Sequence, residues 1–200
     1  MALGRARRCS NIVVMGSSLS RAGTLRGIVH GRFQPFHNQH LEYLRIAAAH
    51  SEELLVGITN PERDGAPGEP TAVHRQCLEE NPYTYWERLL MVEAVLESEG
   101  IEGRVVPFPI SEPKRLCDYL PVAGTHYLRV FDAWGEEKVR RLKQLGLEVV
   151  VLQPGAEKTL SGSEVRACIR ERGPWRDMIP DPVVHVLELL SDEADRCSAA

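Results

Sequence analysis

Apolar runs and helix-like patterns alternate along most of the chain. Runs rich in Leu, Ile and Val, each bounded by turn residues, predict five strands: 25–31, 53–60, 104–110, 125–131 and 148–154. Apolar positions at helical spacing predict five helices: 40–51, 84–100, 136–146, 161–173 and 181–190. In the second helix, Thr84 is a suitable N-cap and Gly100 a suitable terminator.

Strands separated by helices favour one fold class. Right-handed crossovers between successive strands build a parallel sheet with helices on both faces. We therefore predict an α/β, Rossmann-like open parallel sheet of about five strands, with C-terminal helices. The predicted domain spans 25–190, between a flexible extension (1–24) and a disordered tail (191–200). Residues 61–80 are rich in Pro, Gly and charge and predict a flexible loop, either a lid or a disordered insertion.

Composition excludes several classes of function. Of the 200 residues, 43% are hydrophobic, which suffices for the core of one ordinary domain. The net charge of -4 gives no general attraction to nucleic acid or to an anionic membrane. No apolar stretch approaches the roughly 18 to 20 residues that span a bilayer. The five scattered cysteines fit reduced thiols, so we predict a cytoplasmic protein without a disulfide framework.

The segment GRFQPFHNQH, residues 31–40, places two histidines at the predicted junction of the first strand and the first helix. In open parallel sheets, ligands bind beyond the carboxyl ends of the strands. Backbone N–H groups and the helix dipole at such a junction favour an anion. His37 and His40 are therefore placed to donate hydrogen bonds to phosphate oxygens.

Two other interpretations of these histidines stay open at this point. A zinc site needs a third ligand, and the remaining histidines form no cluster with His37 and His40, so we predict no metal site in the protein. The second alternative is a pair of structural histidines that are buried in the core with their hydrogen bonds satisfied.

A second motif, LSGSEVR at 160–166, follows the last predicted strand and begins a helix. The small residues Ser161, Gly162 and Ser163 let backbone N–H groups approach an anion, and Arg166 adds a positive charge one turn later. Alone, this pattern is typical of an ordinary N-cap followed by a surface arginine. In combination with the first motif, it favours a polyphosphate site.

The two motifs together resemble the nucleotidyltransferase superfamily, which carries an HxGH-type signature near its start and an ISxTxxR-type signature near its end. Two further runs, NPYTYWERLLMV at 81–92 and GPWRDMIPDPVVHVL at 173–187, are similar to the archaeal-type nicotinamide mononucleotide adenylyltransferase family. The resemblance covers residues 26–190 and suggests a divergent, cytidylyltransferase-like member.

The resemblance implies a reaction in which a nucleoside triphosphate donates its nucleoside monophosphate to an anionic acceptor oxygen and pyrophosphate leaves. Catalysis is then mainly positioning and charge neutralisation, without a covalent intermediate, and Mg²⁺ arrives with the triphosphate. The implied catalytic residues are Arg32, His37, His40 and Arg166. The implied nucleotide-binding residues are Gly31, Arg32, Phe33, His37, His40, Ser161, Gly162, Ser163, Glu164 and Arg166.

The sequence departs from the family pattern at three places. Gln39 stands where the HxGH signature has glycine, which narrows the site or adds an amide donor. The region 112–121, where nicotinamide-binding relatives have a stacking tryptophan, has Tyr119 as its only aromatic residue. Glu80 occupies a position that is basic in these relatives. These departures argue against nicotinamide mononucleotide and favour CTP with a small phosphonate or phosphate acceptor.

Cationic residues near the expected mouth of the site suit a compact, highly anionic acceptor. The predicted acceptor-binding residues are Arg63, Arg75, Arg88, Lys114, Arg115 and Arg129. For Arg88 the alternative is a surface ion pair with Glu87. Two alternative functions stay open: an ATP-dependent nicotinamide mononucleotide adenylyltransferase, and a regulatory module that binds a nucleotide without turnover. A homo-oligomer is also left open.

Overall fold

A parallel sheet forms the centre of the molecule. The computed structural model describes residues 25–61, 80–120, 123–153 and 157–198, of which 193–198 are described by their backbone alone. The sheet contains β1 (Arg26–Gly31), β2 (Glu53–Thr59), β3 (Gly103–Phe108), β4 (Thr125–Leu128) and β5 (Glu148–Val151). Their order is β3-β2-β1-β4-β5 and every pair is parallel. β2 lies on one side of β1 and β4 lies on the other, so the order of the strands reverses direction between β1 and β4.

Helices cover both faces of this sheet. They are α1 (Asn38–Ala48), α2 (Tyr85–Glu99), α3 (Ala133–Gln144), α4 (Gly162–Arg170) and α5 (Asp181–Ser198). Two short 3-10 helices, Pro113–Asp118 and Trp175–Met178, were not predicted. The predicted α/β fold with helices on both faces is confirmed.

The sheet divides the hydrophobic core into two clusters, one on each face. Side chains that follow one another along a strand point to opposite faces. Val29 of β1 packs in the cluster that includes α1, α2, α4 and α5. Its neighbour Ile28 packs in the second cluster, with Leu142 of α3 and Leu116 of the first 3-10 helix. Both are fully buried, as expected for a central strand of a sheet that is covered by helices on both faces.

The predicted elements are confirmed in type and order, and they differ mainly at their ends. β4 and β5 are each three residues shorter than predicted, whereas α1 begins two residues earlier and α3 three residues earlier. The predicted disordered tail is wrong over 191–198, because α5 continues to Ser198. The predicted extension (1–24) and almost all of the predicted loop (62–79) lie outside the described residues. In the part of the chain that is described, no helix is long and apolar enough to cross a membrane.

The predicted ends of α2 are confirmed. Thr84 is the N-cap, and its hydroxyl accepts a hydrogen bond from the N–H of Glu87 at 3.2 Å. The Glu87 carboxylate accepts one in return from the N–H of Thr84 at 2.6 Å, which completes a capping box. Gly100 ends the helix in the left-handed conformation, with φ of 61°.

Arg88, in contrast, has neither of its predicted roles. Its side chain is 1% exposed, and its guanidinium donates hydrogen bonds to the backbone carbonyls of Arg32, Thr59 and Asn60 at 2.8–3.1 Å. It is therefore neither a surface partner of Glu87 nor placed to contact an acceptor. Instead it fastens α2 to the chain segments that follow β1 and β2.

We predict that Arg88→Met lowers the free energy of unfolding by about 2 to 4 kcal/mol, because one buried and two partly buried hydrogen bonds to backbone carbonyl groups are lost. Arg45→Met is the matched control on another helix, since Arg45 pairs with Glu99 at the surface and its side chain is 58% exposed. That control should change the stability by less than about 1 kcal/mol. Urea unfolding measures both, and equal effects of the two substitutions would contradict the role assigned to Arg88.

Candidate active site

A cleft opens where the sheet reverses its winding, at the carboxyl ends of β1 and β4. The first turns of α1, α3 and α4 surround it. The residues that line it are His30, Gly31, Arg32, Phe33, Gln34, His37, Gln39, His40, Tyr43, Leu128, Arg129, Phe131, Asp132, Trp134, Gly135, Lys138, Lys158, Leu160 and Gly162. The first predicted motif and the start of the second are thus brought together, although more than 100 residues separate them.

The two predicted histidines lie against each other in this cleft. His37 is the N-cap of α1, and its ring stacks on that of His40 with centroids 3.6 Å apart. The backbone N–H of His37 donates to Nδ1 of His40 at 3.2 Å. Because Nδ1 of His40 accepts this hydrogen bond, the ring proton of neutral His40 is on Nε2, which can donate to a ligand.

Both histidines are neutral at neutral pH. Burial, together with the positive charge of Lys158, lowers the pKa of His37 to about 3. Burial also lowers the pKa of His40 well below its ordinary value, and His37 and Lys158 reinforce the effect. Nδ1 of His37 is buried without a hydrogen-bond partner, so the alternative of a satisfied structural pair does not describe it. Neutral rings that each offer one N–H suit positioning and charge stabilisation better than proton transfer.

Residues of the loop between β1 and α1 pack against His40. Phe33, predicted to bind the nucleotide, is fully buried with φ of 53°, and its ring lies edge-on to His40 at 4.9 Å. A side chain at Gly31 would collide with that ring, because a Cβ there would come within 2.8 Å of it. Both residues line the cleft, but their observed contacts hold His40 in place.

Gln34 connects this loop to the segment before α2. Its amide nitrogen donates to the carbonyl of Tyr83 at 2.8 Å, and its amide oxygen accepts from the N–H of Tyr83 at 3.0 Å. Nearby, Arg32 donates to the side chain of Asn81 at 3.4 Å. The NPYT run is therefore a structural support for the site, and sequence reasoning gave Gln34 and Asn81 no role.

The start of α4 packs directly on the same loop. A Cβ at Gly162 would lie 2.7 Å from the carbonyl oxygen of Gln34, so only glycine permits this approach. The Ser161 hydroxyl caps the helix by accepting from the N–H of Glu164 at 3.3 Å. That N–H is therefore already used, while those of Gly162 and Ser163 belong to the first turn, where a helix supplies no partner. Ser163 and Glu164 are exposed and are not among the residues that line the cleft.

Gln39 has a role that neither prediction for it anticipated. In the amide orientation that satisfies its neighbours, its nitrogen donates to the carbonyl of Leu160 at 2.8 Å and its oxygen accepts from the N–H of Thr159 at 2.9 Å. Gln39 thus ties α1 to the segment that leads into α4. It still lines the cleft, but its amide is used for this structural connection.

The cleft is strongly cationic. Among the described residues that line it, Arg32, Arg129, Lys138 and Lys158 carry positive charge, whereas Asp132 is the one carboxylate. That carboxylate caps α3 by accepting from the N–H of Gly135 at 2.8 Å. Such an excess of positive charge beside helix N-termini favours a multiply charged anion.

Of the predicted acceptor residues, Arg129 reaches the cleft. Its guanidinium donates to the Glu42 carboxylate at 3.0 Å, to the Gln153 side chain at 3.0 Å and to the Gln39 carbonyl at 3.3 Å, while its Nε is buried without a partner. Its side chain is 8% exposed. Arg129 therefore has a structural role, and its Nε–H is a donor without a partner.

Lys114 and Arg115 do not reach the cleft. Both are exposed on the first 3-10 helix, where Arg115 pairs with Glu112 and with the hydroxyl of Tyr119. Arg63 and Arg75 lie outside the described residues. Sequence reasoning missed Lys138 and Lys158 as cleft residues. For Lys158 a signal existed, because it lies three positions before Ser161 in the second motif.

Arg166 lies behind the cleft wall. The residue is 5% exposed, and it donates to the carbonyl of Gln34 at 2.6 Å and to the Ser163 hydroxyl at 3.0 Å. It also forms an ion pair with Glu80. The predicted contact between Arg166 and a phosphate is therefore not available in this conformation.

Among the described residues, no cluster of three or more His, Cys, Asp or Glu side chains could hold a metal ion.

Comparisons with known proteins agree with this geometry. A model of the cytidylyltransferase-like family matches residues 28–168. A phosphonoformate cytidylyltransferase of Streptomyces viridochromogenes is 42% identical, over 84% of this chain and 91% of its own length. A nicotinamide-nucleotide adenylyltransferase of Pyrococcus horikoshii is 28% identical, over 82% of this chain and 83% of its own.

Among solved structures, a bifunctional NMN adenylyltransferase/ADP ribose pyrophosphatase from Francisella tularensis has the same fold, with a TM-score of 0.58 at 15% identity. The match covers 84% of this chain and spans half the length of that protein. The family match covers well over half of the chain, and the sequence resemblance to nucleotidyltransferases is confirmed. The chain belongs to the cytidylyltransferase-like family and is a nucleotidyltransferase.

Proposed function

We propose that the protein transfers CMP from CTP to a small phosphonate that carries a second anionic group, and that pyrophosphate leaves. The observation that carries this proposal is the cleft itself, in which two neutral histidines, two helix N-termini and four cationic side chains converge. Phosphonoformate, after which the relative that is 42% identical is named, is an acceptor of this kind.

In this proposal the triphosphate lies across the N-termini of α1 and α4. His40 donates from Nε2 to an oxygen near the α-phosphorus, and His37 stacks behind it and keeps its ring oriented. Lys158 and Arg32 neutralise the charge that develops as pyrophosphate leaves. Mg²⁺ would be held by oxygens of the triphosphate and would screen the charge of the phosphates. The acceptor oxygen is already anionic, so no residue needs to remove a proton from it.

The acceptor is proposed to lie at the β4 side of the cleft. Arg129 and Lys138 border that side, and the unpartnered Nε of Arg129 provides a buried donor. A small acceptor buries little apolar surface, so its affinity has to come from charge-assisted hydrogen bonds. The 3-10 helix at Pro113–Asp118, in the region where nicotinamide-binding relatives are expected to have a stacking tryptophan, carries no aromatic residue, although Phe131 and Trp134 line the cleft elsewhere.

Two further predictions from the sequence are kept as proposals. The scattered cysteines continue to favour a cytoplasmic location. A homo-oligomer stays an open alternative.

Pyrophosphate release tests the proposed reaction. We predict turnover with CTP, Mg²⁺ and phosphonoformate, and much slower release when ATP replaces CTP or nicotinamide mononucleotide replaces the phosphonate. Efficient turnover of ATP with the mononucleotide would establish the adenylyltransferase alternative instead. Tight binding of a nucleotide without release with any acceptor would support the regulatory module and contradict the proposal.

His40→Ala should lower kcat by about 10²- to 10³-fold, because a preorganised donor to the developing charge is lost. His185→Ala is the control, since His185 is exposed on α5, away from the cleft. Steady-state kinetics with CTP and phosphonoformate measure both variants. A kcat of His40→Ala within about threefold of the parent enzyme would exclude the proposed role of this ring.

Arg129→Ala should raise the KM of the acceptor by more than it lowers kcat, and should leave the KM of CTP less affected. Arg115→Ala removes the same charge outside the cleft and should change neither constant. The acceptor KM should also rise with added salt, since the attraction is electrostatic. If the two KM values rise together in Arg129→Ala, the hydrogen bonds to Gln39 and Glu42 are the main role of this arginine.

A further inference from the structure

A carboxylate lies against Arg166 and Ser163 at the start of α4. Glu80 forms an ion pair with Arg166, and it accepts a hydrogen bond from the Ser163 hydroxyl at 3.2 Å. Arg32 lies 3.9 Å from the same carboxylate oxygen. One acidic side chain thus contacts three of the groups that the resemblance assigns to the triphosphate.

Glu80 is the more exposed partner of this ion pair. The Arg166 side chain is 6% exposed, whereas that of Glu80 is 28% exposed. Burial acts to raise the pKa of Glu80, but the charge and hydrogen bond of Arg166 outweigh it and hold that pKa below its ordinary value. The carboxylate is therefore ionised at neutral pH and resembles a phosphate oxygen in charge and in the donors it accepts from.

Arg166 does not need Glu80 to keep its orientation. Its Nη1 donates to the buried carbonyl of Gln34 at 2.6 Å, and its Nη2, the nitrogen that pairs with Glu80, also donates to the Ser163 hydroxyl on the same helix at 3.0 Å. These two contacts remain if Glu80 withdraws. The geometry of Arg166 is thus fixed by the loop and by α4, and Glu80 adds charge neutralisation to an arrangement that already exists.

We infer that Glu80 is an internal substitute for a terminal phosphate of the nucleotide: it neutralises Arg166 in the free enzyme, and the triphosphate has to displace it in order to bind. The inference rests on the proposed function, since it assumes a triphosphate at α4. It has two consequences. Affinity for the triphosphate is lower than the cationic site alone would give, and Glu80 helps to expel pyrophosphate by returning to Arg166 after the reaction.

Nucleotide binding to Glu80→Gln tests this inference. The amide keeps the size of the side chain but removes its charge, so CTP should bind about 5- to 20-fold more tightly, where tenfold corresponds to 1.4 kcal/mol. Pyrophosphate should inhibit the variant at correspondingly lower concentrations. CMP lacks the β- and γ-phosphates that would reach Arg166, so its affinity should change by less than about twofold. Isothermal titration calorimetry measures both affinities.

Glu157→Gln is the matched control for a general charge effect. Glu157 is exposed in the loop that also carries Lys158, so this variant removes the same charge near the cleft without touching Arg166. We expect its affinity for CTP to rise by less than about twofold. An equal gain in CTP affinity in Glu80→Gln and Glu157→Gln would show that any removed negative charge strengthens binding, and would overturn the inference.

A double-mutant cycle separates displacement from a positioning role. In an Arg166→Gln background, Glu80→Gln should no longer strengthen CTP binding, because the pair is already broken. If Glu80→Gln alone weakens CTP binding and lowers kcat, Glu80 positions Arg166 and the inference is wrong. If the parent protein binds no nucleoside triphosphate at all, the proposed function itself fails, which is a different outcome from an unchanged affinity in Glu80→Gln.

Discussion

The site depends on how the loop between β1 and α1 is held. That loop carries its own polar backbone into the interior, and buried carbonyl groups are costly unless they are hydrogen bonded. Arg88 satisfies the carbonyl of Arg32 from one side, and Arg166 satisfies that of Gln34 from the other. Two long cationic side chains on separate helices thereby fix one short loop, and the position of His37 and His40 follows from it.

This arrangement also explains the electrostatic character of the cleft. The histidines are kept neutral by burial and by the cations around them, so they add donors without adding charge. Net positive charge comes instead from side chains at the rim, such as Lys158, and from the helix N-termini. In the proposed reaction, a rigid set of donors around the reacting phosphorus costs little reorganisation, which is the condition for electrostatic catalysis.

The fold could be predicted from the sequence because each element has a local signal, as with Thr84 and Gly100 at the ends of α2. The two motifs likewise predicted that His37 and Gly162 would lie at one site, and both line the cleft. The structural role of Arg88 could not be predicted from the sequence. An arginine next to a glutamate on a helix gives no sign that its guanidinium will donate to backbone carbonyls such as that of Thr59. Lys138 was missed for the same reason, since its place in the cleft depends on how α3 packs on the sheet.

In the proposed reaction the acceptor oxygen attacks the α-phosphorus directly, in a site built for positioning, with no covalent intermediate on the enzyme. The stereochemical course at that phosphorus tests it most directly. With one diastereomer of CTP that carries sulfur on the α-phosphorus, a single in-line displacement inverts the configuration, which ³¹P NMR of the isolated product can assign. We expect inversion; retention would require two successive displacements and would contradict the account.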